Sequence, residues 1–161
     1  MPLSASVTCR LQHQHETIHD LLKGSSETSL KQRIQKDKWN VHEQVAHLVT
    51  YQPLFLQRLK TIEKENNPLF DRYVADNDPA FLQSCQKPIS DLLSDLHQHR
   101  TMIIEHLLSV PGETLGKTGR HPKYGLLTMH EWTEFFLLHE AHHLFSIFML
   151  TRAIAGAAGN Q

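Results

Sequence analysis

Apolar residues recur at helical spacing four times along the chain. Val7, Leu11, His15, Ile18 and Leu22 step by three and four, and Gly24 supplies a C-terminal stop. A second stripe runs through Val41, Val45, Leu48, Gln52, Phe55, Leu59 and Ile62. Cys85, Ile89, Leu92, Leu96, Ile103 and Leu107 form the third, closed by Pro111-Gly112, and Trp132, Phe136, His139, His143, Ile147, Leu150 and Ile154 the fourth. No strand-like alternation of any length appears, and no repeat or low-complexity block. Four amphipathic helices without strands imply an all-α four-helix bundle.

The helix starts are marked. Asn40-Val-His-Glu43 and Thr128-Met-His-Glu131 fit a capping box, in which the first side chain accepts from an early helix N–H and the glutamate reaches back. Asp78-Pro79 places a cap before a proline suited to the first turn. Pro53 and Pro88 fall inside apolar stripes, where each removes an intrahelical hydrogen bond, so a kink or short break is expected at both. The connections run from Asn66 to about residue 77 and over 109–127, the latter rich in glycine and proline. Residues 25–39 read either as a short helix around Leu30 to Ile34 or as an ordered loop ending in Trp39. The tail after Ala155 reads as frayed.

Length, 161 residues, fits one domain spanning 1–161. A net charge of −1 gives no electrostatic reason to expect nucleic acid or an anionic membrane as partner. Cys9 and Cys85 are far apart and form no C-x-x-C pair; free thiols in a reducing compartment are the plain reading, a single disulfide the alternative. The N-terminus lacks the basic start and apolar core of a signal peptide, and the most apolar stretch, 135–150, carries His139, Glu140, His142 and His143. A cytoplasmic protein is expected.

Thirteen histidines are unusual, though His97 and His99 sit in a polar run. His139 and His143 are four residues apart and occupy the middle of the fourth apolar stripe, so their rings project from one helix face toward a core. An unsatisfied buried polar group costs roughly 1–3 kcal/mol, so two such imidazoles call for hydrogen bonds or a metal, and neutral imidazole suits zinc, nickel, copper or iron. Residues 139–143 match H-E-x-x-H, the zinc-protease signature with Glu140 as general base. From Leu144 to Gln161, however, there is no Asp, Glu, His or Cys to serve as a further ligand, and the expected sheet is missing. A third ligand is therefore sought upstream: His47, beside the second stripe, or His15, on the apolar phase of the first helix.

The segment Trp39-Asn40-x-x-Glu43-x-x-x-His47-Leu48 resembles the W-S/N-x-x-E-x-x-x-H-L segment of the DinB-like (YfiT-like) metalloenzymes. His121-Pro122-Lys123-Tyr124-Gly125-Leu126-Leu127-Thr128, Glu131-Trp132 and His139-x-x-His142-His143-Leu144 resemble that family's second block. The specific residues lie at about 38–56 and 121–150, and the first helix is generic. The resemblance implies an up-down-down-up four-helix bundle, often a homodimer, with a divalent metal, zinc or nickel, held by His47, His139 and His143. His142, about 100° round the helix, is not carried over.

Three protein ligands leave a coordination position for water or substrate, as in catalytic sites. The resemblance thus implies a metal-dependent enzyme acting on a small molecule through metal-bound water or thiolate, as a hydrolase or a thiol S-transferase using a low-molecular-weight thiol cosubstrate. The alternative is a non-catalytic, stress-related bundle with a structural ion. Candidate catalytic groups are Glu43, Glu140 and His121. Each also has a plain role: Glu43 as capping partner, Glu140 directed to a neighbouring helix or solvent, His121 as a turn residue before Pro122. Tyr51, one turn beyond His47, lines the pocket or packs, and Trp132 reads as core.

Overall fold

The computed structural model describes residues 2–158. The first long helix is built from α1 (Ala5–His13), a 3-10 turn (Gln14–Glu16) and α2 (Thr17–Leu22); the short α3 (Glu27–Leu30) precedes α4 (Val41–Lys64). After α5 (Pro79–Ser84) come α6 (Ile89–Ser109), a hairpin of β1 (Thr118–His121) and β2 (Gly125–Thr128), and α7 (Met129–Ala158).

Cross-helix bonds give the directions. His42 bonds the Lys87 carbonyl at 2.9 Å, Gln52 the Leu96 carbonyl at 3.2 Å, and Glu63 pairs with His106 at 2.7 Å, so α4 and α6 run parallel. Arg10 meets Glu134, and Gln14 bonds the Leu137 carbonyl and the Glu140 carboxylate, so α1 and α7 are parallel as well. Gln44 meets His143, His47 meets His139, and Phe55 stacks on Phe136, so α4 and α7 are antiparallel. The order is up-down-down-up. A parallel α4–α6 pair obliges the chain to travel back along the bundle, which residues 65–88 do.

The expected caps are present. Asn40 and Glu43 exchange bonds of 2.8 Å, Thr128 and Glu131 exchange bonds of 2.7 and 3.1 Å, and the Asp78 carboxylate accepts from the Ala80 amide. Gly24 takes φ +78° just past α2. Several expectations need correction. α4 continues through Pro53 without a break. Pro88 is the residue before α6, so the third stripe is helical only from Ile89, with Cys85 capping α5. The short helix in 25–39 is earlier than expected, at Glu27–Leu30. Gly156 and Ala157, read as frayed, lie in α7; residues 159–161 fall outside the described ones.

The largest correction is in 109–127, read as a loop. It carries the antiparallel hairpin, in register from Thr118 opposite Thr128 to His121 opposite Gly125. Four-residue strands are too short for alternation to show in the sequence. Position comes from elsewhere: the Phe70 amide bonds the Arg120 carbonyl at 3.1 Å, and the Arg120 amide the Pro68 carbonyl at 2.7 Å. Beneath, the Trp132 indole donates to the Gly119 carbonyl at 3.2 Å. A Cβ on Gly119 would stand 2.8 Å from both Ile62 and Phe70. This close approach holds the His121–Gly125 turn over the bundle.

Two apolar clusters fill the interior. One contains Leu11, Phe55, Leu59, Ile103, Trp132 and Phe136; the other Ile18, Val45, Leu48, Leu96, Leu144 and Ile147. Where each long helix passes from one cluster to the other it carries a polar residue: Gln14 and His15, Gln52, Arg100, Glu140. Arg100 is fully buried and donates to Gln52 at 2.9 Å, to the Leu11 carbonyl at 3.1 Å and to Glu140. Glu140 accepts on its other oxygen from Gln14 at 3.0 Å.

Candidate metal centre

The capped start of α4 puts Gln44, His47 and Tyr51 on successive turns of one face. α7 runs antiparallel beside it and presents His139 and His143, four residues apart, to the same space. The His139 Nε2 lies 3.1 Å from His47 Nε2 and 3.0 Å from His143 Nε2. One ligand atom from each of the three residues falls within 4.8 Å of the others. Two nitrogens held at about 2.0–2.1 Å from one ion, at angles between right and tetrahedral, stand roughly 2.9–3.4 Å apart. The spacing fits a single ion.

The donor chemistry fits as well. The Gln44 carbonyl oxygen, 2.6 Å from His143 Nδ1, can only accept, so that nitrogen carries the proton and Nε2 keeps its lone pair. His139 Nε2 stands in both close contacts, and one ring nitrogen has either a proton or a lone pair to offer. The two contacts therefore cannot both be well-aligned hydrogen bonds. His47 Nδ1 and His139 Nδ1 are buried without a hydrogen bond among the described residues. Burial, reinforced by neighbouring histidines, depresses all three rings: His139 to about 4, aided by Arg58, His47 to about 3 and His143 to about 2. They are neutral at ordinary pH, as metal ligands must be.

The cluster forms one wall of a cavity of about 690 Å³. Trp39 packs on His47 at 5.0 Å between ring centroids, Tyr73 stacks on it at 5.8 Å, and Tyr51 packs on His139 at 4.4 Å. Trp39 is held by its indole N–H on Asp76. The hairpin turn contributes His121 to Tyr124. Residues 10–147 match the DinB superfamily. The chain belongs to it.

Other comparisons show similarity in sequence and in fold. The uncharacterized protein YuaE of Bacillus subtilis (strain 168) is 28% identical over 135 residues, covering 76% of this chain and 83% of YuaE. The YfiT structure from Bacillus subtilis, described as a probable metal-dependent hydrolase with an unusual four-helix bundle topology, superposes with a TM-score of 0.80 at 17% identity, over 93% of this chain and 86% of YfiT. TT2238, a four-helix bundle protein, matches with a TM-score of 0.64 at 18% identity, over 88% and 94%.

Of the other candidates, His121 and Tyr51 line the cavity, and Glu43, Glu140, His15 and His142 do not. Glu43 has both carboxylate oxygens engaged, one by the Asn40 amide and one by Arg33, which is the capping role. Glu140, about 100° round α7 from His139, is bound by Arg100 and Gln14 and not placed as a base beside the histidines. His121 combines its two readings: Nδ1 accepts from the Lys123 and Tyr124 amides at 3.1 Å, and the residue lines the cavity. His15 is buried near His97, away from the trio, and His142 is exposed. Tyr51 both lines the cavity and packs.

Arg58, Arg72 and Tyr73, which line the cavity, and Gln44, which bonds His143 behind it, have no part in the sequence reading. Gln44 was discoverable, since it precedes His47 by three positions on the same helix face. Arg58, eleven positions after His47 and so again on that face, interrupts the apolar run Phe55, Leu59, Ile62. Tyr73 and Arg72 arrive from a long connection with no periodic signal.

Proposed function

We propose that this chain is a metal-dependent enzyme in which His47, His139 and His143 hold one divalent ion, zinc or nickel, and the adjoining cavity receives a small-molecule substrate. The observation that carries this reading is the convergence of three neutral ring nitrogens, 3.0 and 3.1 Å apart, on an accessible cavity. A divalent ion there supplies Lewis acidity, which polarises a substrate and makes water or a thiol more nucleophilic at neutral pH. Among the described residues no fourth His, Cys, Asp or Glu joins the cluster, which favours an exchangeable position over a closed structural site.

The protein's own groups orient and enclose. Gln44 sets the His143 tautomer, Trp39 and Tyr73 wall the His47 ring, and Tyr51 packs on His139. Hydrolysis is the favoured reaction, by likeness to the description of YfiT; thiol S-transfer with a low-molecular-weight cosubstrate is the second. No helix among the described residues is long and apolar enough to cross a membrane, and the two free cysteines accord with a cytoplasmic location. Exposed Leu138, Phe145, Phe148 and Met149 on α7 favour a homodimer through that helix.

Metal analysis of the purified protein tests the site. Near one ion per chain is expected, with loss in His139→Ala; full retention by that variant overturns the three-histidine assignment. Ester and amide turnover set against a screen with glutathione, bacillithiol and mycothiol then decides between the two reactions.

A further inference from the structure

The bundle buries two arginines, and they differ in one respect. Arg100 has Glu140 as counter-ion. Arg58 is only 7% exposed, yet among the described residues no carboxylate lies within ion-pairing distance of it. Its partners are neutral: Nη1 donates to the Tyr51 hydroxyl at 3.3 Å and Nη2 to the Asp71 carbonyl at 2.8 Å. Its guanidinium carbon lies 5.4 Å from the centre of the Phe70 ring and 5.5 Å from that of Trp132. These contacts hold the group in place and neutralise nothing. Removing an unpaired cation from water is expensive, and a well-placed anion offsets that expense.

The unpaired charge faces the cavity that holds the three histidines. Tyr51 joins the two, its ring against His139 and its hydroxyl on Arg58. No described residue accepts the Tyr51 hydroxyl proton, which leaves it free to donate. Arg72 and Lys123 also line the cavity, against one carboxylate, Asp71. On a chain of net charge −1 this is a local concentration of positive charge.

We propose that Arg58, with the Tyr51 hydroxyl, is an anion-binding subsite that anchors the carboxylate of a small organic substrate while its reacting part lies at the histidine cluster. A carboxylate suits the geometry because each terminal nitrogen of the guanidinium has one N–H already bonded and one remaining. These two N–H groups, in the plane of the guanidinium, and the Tyr51 hydroxyl are left to meet the oxygens of a carboxylate. The aromatic walls of the cavity suit an unsaturated or aryl carboxylate. This rests on the reading of the cavity as a substrate site, but the subsite itself needs no metal.

The test is titration of the intact protein with benzoate, benzamide and inorganic phosphate, metal-free and after loading with zinc, followed by calorimetry and by the arginine Nε–H resonances. Saturable benzoate binding in both forms is expected, with benzamide at least tenfold weaker. Arg58→Gln is expected to weaken benzoate tenfold or more with zinc stoichiometry unchanged, and Arg58→Lys, which keeps the charge but loses the flat fork, to fall between. Equal affinity for benzoate and benzamide in the unmodified protein overturns the proposal, whether or not the variants fold. So does benzoate binding that appears only with zinc and is indifferent to Arg58→Gln, or binding of phosphate in place of benzoate. His139→Ala separates the two readings: benzoate binding by its metal-free form within about twofold of the unmodified protein supports the subsite. Zinc retention by the same variant sinks the metal assignment without touching Arg58.

Discussion

His139 and Glu140 are neighbours in sequence, about 100° apart on α7, and they face two polar regions built on opposite principles. Glu140 enters the layer between the apolar clusters, where Arg100 and Gln14 donate to its two oxygens and Gln52 accepts from Arg100. His139 enters a group of three imidazoles whose nitrogens point at one another with too few protons to bond. A satisfied buried network is complete in itself and specifies packing. A convergent, unsatisfied one is complete only with something else bound. Burial alone therefore does not mark a site, because both regions are buried; satisfaction does.

The largest effect is expected on the satisfied side. Arg100→Met leaves the Glu140 carboxylate buried and unpaired, which costs on the order of 3–5 kcal/mol, seen as a lowered midpoint in urea unfolding. The double variant Arg100→Met, Glu140→Leu removes both charges and is expected to recover most of that loss. If the double variant is as unstable as the single one, the layer contributes through its full set of hydrogen bonds and not through charge pairing.

His15 lies beside this layer and is its exception, since neither ring nitrogen has a partner among the described residues. Burial, then the Arg100 charge, lowers its pKa to about 4 from 6.5. The unfolded chain thus takes up a proton below pH 6.5 that the folded chain refuses until about pH 4. Stability from this group is present above pH 6.5 and is lost as pH falls through that window. The loss is about 2 kcal/mol between pH 7 and 5. With chelator present, His15→Leu is expected to flatten the pH dependence by that amount relative to the unmodified protein. An unchanged slope would mean that His15 gains a proton in the folded state after all.

Much of this contrast is legible in the sequence. The four stripes gave the helices because each buries one face, and the caps at Asn40, Asp78 and Thr128 placed three starts to the residue. His139 and His143 stood out because helix geometry fixes what four-residue spacing does. The hairpin did not, because its strands are too short to show alternation and are held by Pro68 and Phe70, far away in sequence. Glu140 was legible in part: a direction toward a neighbouring helix or solvent was open to reading, but H-E-x-x-H describes one helix, and only Arg100 on another shows which neighbour it meets. Arg58 carries a long-range absence, a missing counter-ion, which no local pattern encodes.

On the histidine side, smaller effects are expected, and on binding more than on folding. Gln44→Leu removes the acceptor that fixes the His143 tautomer, and such supporting bonds are worth 10–100-fold in metal affinity, about 1.4 kcal/mol at the lower end. Competition with a chromophoric chelator measures this. A change below twofold would show that Gln44 only packs.

The smallest effect is the most discriminating. His139→Leu in the metal-free protein is expected to leave urea stability unchanged or to raise it by up to about 1 kcal/mol, because it deletes a ring whose Nε2 is over-committed and whose Nδ1 is unpaired. With zinc at a hundred times its dissociation constant the unmodified protein gains about 2.7 kcal/mol, and the variant gains nothing. The sign in the metal-free state is what matters. Were His139→Leu to cost more than about 2 kcal/mol there, the trio would be a structural network of the Arg100–Glu140 kind, and the distinction between the two faces of α7 would fail.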